Sequence, residues 1–213
     1  MIKNVVFDFN GTLIDDVKLC LDIEEVLMIE NGIKPYDLKE YLDKFFFPVR
    51  EYYKFIGIKD EDFLKSAAYF NEQYNKRWEK ETHLYDGVID CLKKLKENGY
   101  RLFVLSASEE KILINQLKFL KIYEYFDGVC GARNDLAYGK IEYGKIYAKE
   151  NDIVPSETVM IGDTYHDYDV ANALGFGCIL FTKGHNSKER LLKIGVKTFD
   201  DYSELFNIIK STK

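Results

Sequence analysis

V-V-F-D-F-N-G-T-L, Val5 to Leu13, is the stretch from which the fold is read. Its apolar run reaches Asp8 and breaks at Gly11-Thr12, so the Asp8 carboxylate belongs at the carboxyl end of a buried strand. In open α/β sheets ligands bind at that edge. Three later segments are built alike: L-F-V-L-S at Leu102 to Ser106, Val129-Cys130 leading toward Lys140, and V-M-I-G-D at Val159 to Asp163. Each sets a polar side chain just past a short apolar run, and parallel strands bring all four to one edge.

These residues carry a charge argument. Asp8, Asp163 and Asp167 cannot crowd together without a cation, because close like charges raise one another's pKa. Mg²⁺ suits such a site, since it prefers oxygen ligands and often takes one or two carboxylates plus a substrate phosphate. Lys140 and the Ser106 hydroxyl then face the phosphate. The combination reads as phosphoryl transfer through an aspartyl-phosphate, with Asp8 as nucleophile.

In this order the motifs resemble those of the haloacid dehalogenase superfamily, in particular its phosphoglycolate-phosphatase-like phosphatases. The family's D-x-D-G-T corresponds to Asp8-Phe9-Asn10-Gly11-Thr12, and its strand-ending Ser or Thr to Ser106, followed by Ala107. Its lysine corresponds to Lys140, with Lys145 as rival, and its G-D-x-x-x-D to Gly162 through Asp167. The resemblance implies a doubly wound, Rossmann-like α/β core with an inserted helical cap. It also implies catalytic roles for Asp8, Asn10, Ser106, Lys140 and Asp167, and substrate contacts from Thr12, Ser106, Ala107 and Lys140. Mg²⁺ would be held by Asp8, Asp163 and the backbone carbonyl of Asn10, and the substrate would be a small phosphorylated metabolite. One position departs from the pattern: the family's second aspartate, its general acid/base, is Asn10, and an amide cannot deliver a proton. That leaves a phosphonate hydrolase, or a phosphometabolite-binding protein with little turnover, as alternatives.

Composition narrows the class. The 213 residues are 46% hydrophobic, enough for a sizeable core, and 30 basic against 36 acidic residues give a net charge of −6, which argues against nucleic acid as a partner. Cys20, Cys91, Cys130 and Cys178 are scattered, without metal-ligand spacing, and read as ordinary thiols of a reducing compartment. The chain enters its first strand at once, with no apolar stretch of membrane-spanning length, so the expectation is a soluble, cytoplasmic protein without a membrane partner.

Periodicity predicts helices between the first strand and about residue 83, then strand-helix alternation. The expected division is a core of residues 1–14 and 84–213 and a cap of residues 15–83. Asp15 or Asp16 is expected to cap the first cap helix. Within the cap, Arg50 is a candidate clamp for an anionic substrate group, with a solvated helix-terminal arginine as the rival reading. The aromatics, among them Phe45, Phe46, Phe47, Tyr52 and Tyr53, read as core. His166 reads as a solvent-facing loop residue with acid/base work as the rival, and His185 as a surface turn residue.

Overall fold

The computed structural model describes residues 1–132 and 139–212, so residues 133–138, just before Gly139-Lys140, lie outside the description. Six parallel strands form the central sheet. They are β1 (Asn4–Phe7), β4 (Arg101–Glu109), β5 (Gly128–Ala132), β6 (Thr158–Gly162), β7 (Gly177–Phe181) and β8 (Lys197–Phe199), in the spatial order β5-β4-β1-β6-β7-β8. The strand that ends at Asp8 thus lies between those leading to Ser106 and Asp163. Its register pairs Phe7 with Val104 on one side and with Ile161 on the other.

Both faces of the sheet are covered, which is why its strands read as unbroken apolar runs. Val5, Phe7, Leu102, Val104, Val159 and Ile161 pack on one side, against α5 (Val88–Glu97), α6 (Glu110–Phe119) and α10 (Tyr202–Lys210). Val6, Phe103, Leu105 and Met160 point to the other, against α7 (Lys140–Glu150) and α8 (Tyr165–Leu174). A short helix, α9 (Lys188–Leu192), follows β7.

Between β1 and α5 the chain makes a two-stranded antiparallel ribbon, β2 (Ile14–Asp15) with β3 (His83–Leu84), pairing Ile14 with Leu84 and Asp15 with His83. Four helices fill the span between these strands: α1 (Val17–Glu30), α2 (Leu38–Lys44), α3 (Val49–Ile56) and α4 (Phe63–Glu81). Helix α2 begins with a capping box, in which the Asp37 side chain accepts from Glu40 N and the Glu40 carboxylate accepts from Asp37 N. Helix α1 does not start that way. Asp16 holds its N-cap position without capping it, because the carboxylate is turned elsewhere.

Two departures from the sequence reading concern short strands. Strand β8 has only three residues and the β2–β3 ribbon two per strand, too few to show a period. Among the described residues no helix is long and apolar enough to cross a membrane.

Leu113 of α6 is fully buried against the sheet. Leu113→Ala is expected to lower the unfolding free energy by about 2–5 kcal/mol, measured by urea denaturation followed by circular dichroism.

Candidate active site

Asp8 follows β1 directly, and its backbone N–H still donates to Ile161 O at 2.8 Å. That bond fixes the carboxylate at the sheet edge. Lys140, the first residue of α7, reaches it from the next layer: Nζ donates to Asp8 Oδ1 at 2.6 Å and to Asp167 Oδ1 at 2.8 Å, with all three side chains buried. Lys145, the rival lysine, is exposed on the same helix. Asp167 is held by the start of α8. Its Oδ2 accepts from Asp163 N at 3.1 Å, Thr164 N at 3.0 Å and the Thr164 hydroxyl at 2.7 Å.

Asp163 is wholly buried; its Oδ1 accepts from Thr12 Oγ1 and its Oδ2 from His185 N, both at 2.7 Å. Backbone passes so close that a Cβ on Gly11 or Gly184 would lie 2.4 or 2.2 Å from Asp163 Oδ2, and Gly11 also has φ +68°. Thr12, expected against the phosphate, is fully buried and spends its hydroxyl on Asp163. Ser106 and Ala107, by contrast, line a cavity of about 360 Å³ together with Asp8, Asn10, Lys140 and Asp167.

Asp8, Asp163 and Asp167 each offer an oxygen within 4.8 Å of the others. Burial pushes Asp8 up to about 8, Lys140 opposing and Asp167 and Asp163 adding to the rise. Burial also raises Asp163, to about 6, against the pull of protonated His185. For Asp167 burial is outweighed by Lys140, and its pKa falls. Lys140 stays charged in spite of burial because Asp167 and Asp8 hold its proton. Lys140 therefore bridges Asp8 and Asp167, and the three buried carboxylates together are left short of positive charge. An all-carboxylate donor set in that state fits a hard, oxygen-preferring divalent cation.

Several residues sit differently from their sequence reading. Arg50 is turned outward, and its guanidinium grips Asp60 through Nε at 2.7 Å and Nη2 at 2.8 Å, away from the cavity. His185 is buried: Nδ1 meets the Tyr41 hydroxyl at 2.8 Å and Nε2 meets Asp16 Oδ1 at 3.1 Å. Burial would lower its pKa, but Asp16, with Asp163 and Glu24 behind it, lifts it to about 9. His166 lies in the first turn of α8 on the cavity wall, its ring 5.0 Å from that of Phe47. Burial lowers its pKa. Phe45 and Tyr53, buried in the core, also line the cavity, as does the partly buried Phe47; Tyr52 lies in the core and Phe46 packs against it, neither reaching the cavity.

Asp16 is the residue the sequence reading misplaced. Its carboxylate accepts from Gly11 N at 2.9 Å, Asn10 Nδ2 at 2.7 Å and the Tyr74 hydroxyl at 2.9 Å, and its pKa falls because His185 overcomes the effect of burial. The Asn10 amide is fully engaged, since Nδ2 also donates to Tyr74 at 2.7 Å and Oδ1 accepts from Ser108 Oγ at 3.0 Å. The visible signal was an extra acid, Asp16, six positions after the amide that replaces one.

A six-stranded parallel sheet with carboxylates, a lysine and a serine gathered at its carboxyl edge is the site of a doubly wound α/β protein. The family model of haloacid dehalogenase-like hydrolases matches residues 5–181, and the chain belongs to that family. It is 26% identical over 192 residues to phosphoglycolate phosphatase 1 of Pseudomonas aeruginosa, covering 85% of this chain and 70% of that one. To phosphoglycolate phosphatase of Psychrobacter arcticus it is 24% identical over 218 residues, covering 96% and 94%. A Clostridium acetobutylicum structure described as a predicted phosphatase superposes over 100% of both chains with a TM-score of 0.85 at 22% identity.

The charge shortage has a measurable sign. Asp8 and Asp163 bind protons in the folded state at pH values where the unfolded chain has lost them, and so does His185 between about 6.5 and about 9. Folded protein then holds more protons than unfolded, and stability falls as pH rises. In EDTA the thermal midpoint is expected to drop between about pH 5 and 8, and Asp8→Asn to flatten that slope. Mg²⁺ is expected to raise the midpoint more at pH 8 than at pH 5, as followed by scanning calorimetry.

Proposed function

We propose that this chain is a Mg²⁺-dependent phosphatase that hydrolyses a small phosphorylated metabolite through an aspartyl-phosphate on Asp8. The observation that carries the proposal is the Asp8 carboxylate, bonded to Lys140 at the strand edge and open to a cavity large enough for a small ester. The phosphatase names of the curated relatives agree with it. Asp8, Asp163 and the Asn10 carbonyl would hold Mg²⁺, which when bound offsets negative charge on the phosphoryl oxygens.

In this reading Asp8 attacks phosphorus while Lys140 and Ser106 steady the phosphoryl oxygens and Ala107 lines the approach. Asp167 acts through Lys140, keeping the ammonium charged and aimed. Residues 15–83 act as a cap over the site, hinged at the β2–β3 ribbon, whose two crossings lie side by side. The substrate contacts once expected of Arg50 and Thr12 have no part in it.

Asn10 sets the rate. Its two amide hydrogens go to Asp16 and Tyr74 and it supplies no proton, and a positioned acid/base contributes about 10²–10⁴-fold. Phosphate release is expected to require Mg²⁺ and to vanish in Asp8→Asn. Asn10→Asp is expected to raise kcat on alkyl phosphates by about 10²–10⁴-fold. A released-phosphate assay of the three proteins, with Mg²⁺ and with chelator, checks both. Should Asn10→Asp be inert on every phosphate ester, the chain is a phosphometabolite-binding protein instead.

A further inference from the structure

Resting on that phosphatase reading, we propose that the site prefers phosphate monoesters whose leaving group is an uncharged aromatic alcohol, over phosphorylated hydroxy acids such as phosphoglycolate. Two independent features lead to this class. The first is the wall that α1–α4 and their connections turn toward Asp8. Phe45, Phe47, Tyr53, Phe63, Phe70 and Tyr74 line it, and the charged side chains this segment adds, Asp16 and Glu24, are both acidic. A carboxylate on the substrate would have to be buried against aromatic rings and two acids, at a cost only a cationic partner offsets.

Among the described residues no such partner comes from that side. Arg50 is spent on Asp60 outside the cavity, while Lys140 and His185 are engaged by carboxylates of the site itself. A flat ring meets the opposite conditions, because aromatic walls favour stacked or edge-on rings. Phe70 and Tyr74 already stack with centroids 6.1 Å apart, and Phe63 meets Tyr53 edge-on at 6.0 Å.

The second feature is Asn10. With no proton to offer at that position, Asn10 leaves an expelled alkoxide unassisted, whereas a phenolate departs unaided. The step balances simply. A bond forms between an Asp8 oxygen and phosphorus as the phosphorus–oxygen bond to the ring breaks; the aryloxide leaves with that electron pair and takes its proton from water. Attack of a second water on phosphorus then restores the Asp8 carboxylate and releases inorganic phosphate and a proton.

Aryl esters are intrinsically more reactive, so the test uses binding as well as turnover. Inhibition constants are measured on the full chain with Mg²⁺ for benzylphosphonate, phosphonoacetate and 2-aminoethylphosphonate, none of which has an ester to lose. Benzylphosphonate is expected to bind at least about tenfold tighter than either other compound, a difference of about 1.4 kcal/mol. Phe70→Ala, or Phe63→Ala if the first does not give a native circular dichroism spectrum, is expected to shrink that margin at least threefold. The value of kcat/KM for 1-naphthyl phosphate is expected to exceed those for phosphoglycolate and phosphocholine. Equal or tighter binding of phosphonoacetate overturns the inference. So does tighter binding of the cationic aminoethylphosphonate, which aromatic walls beside an acid could also favour, or a margin unchanged in the folded variant. Failure to release phosphate from any of the esters, or release that persists in Asp8→Asn, fells the phosphatase reading itself.

Discussion

The contact on which the site depends is the buried Lys140 ammonium shared between Asp8 and Asp167. It ties three separate parts of the chain together: the end of β1, the first residue of α7 and the first turn of α8. Taking Lys140 away would leave buried carboxylates without their counter-charge, a change that typically costs about 3–5 kcal/mol. The same contact explains the uneven charge of the cluster. One ammonium, bonded to Asp8 and Asp167, stands among three carboxylates, and burial holds Asp8 and Asp163 above the ordinary carboxylate range. Burying two such groups together makes little sense for stability alone. It makes sense if a cation and an anionic ester are meant to meet there.

Around this cluster the backbone is arranged to touch the carboxylates directly. Glycine at positions 11 and 184 lets two loops close on Asp163, and the α8 N-terminus gives its first N–H groups to Asp167. Fixed donors of this kind hold the carboxylates in place without relying on flexible side chains. Asp16 extends the arrangement toward the helical segment, joining Gly11, Asn10, Tyr74 and His185 in one network.

The main lines of this site could be read from the sequence because they are local. Asp8, Ser106 and Asp163 each follow a short apolar strand, and Lys140 opens a helix, so a parallel topology suffices to gather them. What escaped is long-range. His185 sits in K-G-H-N-S, a stretch with every mark of a surface turn, and it is buried because Asp16 and Tyr41, 169 and 144 positions away, supply its partners. Asp16 looked like a helix cap because acidic residues before an apolar stripe usually are. Arg50 was misjudged for the converse reason: Asp60, ten positions on, satisfies it at the surface. The aromatics of α3 and α4 show helical spacing whether they face a core or a cavity, and only the three-dimensional arrangement separates Tyr52 from Tyr53.

The β2–β3 ribbon makes the helical segment a replaceable part. Because the chain leaves the sheet at Asp15 and returns at His83, paired neighbours in the ribbon, its two covalent links to the core lie side by side about 5 Å apart, and its other ties are contacts such as those of Asn186 and Arg190 with Phe45 O and of His185 with Tyr41. Another polypeptide whose ends meet at that spacing could be spliced there without disturbing strand order, provided it supplied new partners for Asn10, His185 and Arg190. Evolution can then rewrite the recognition surface at its own pace while the chemistry beneath it stays fixed. Sheet-edge residues close to the family pattern beneath an aromatic, acid-lined wall are what such separate inheritance would produce.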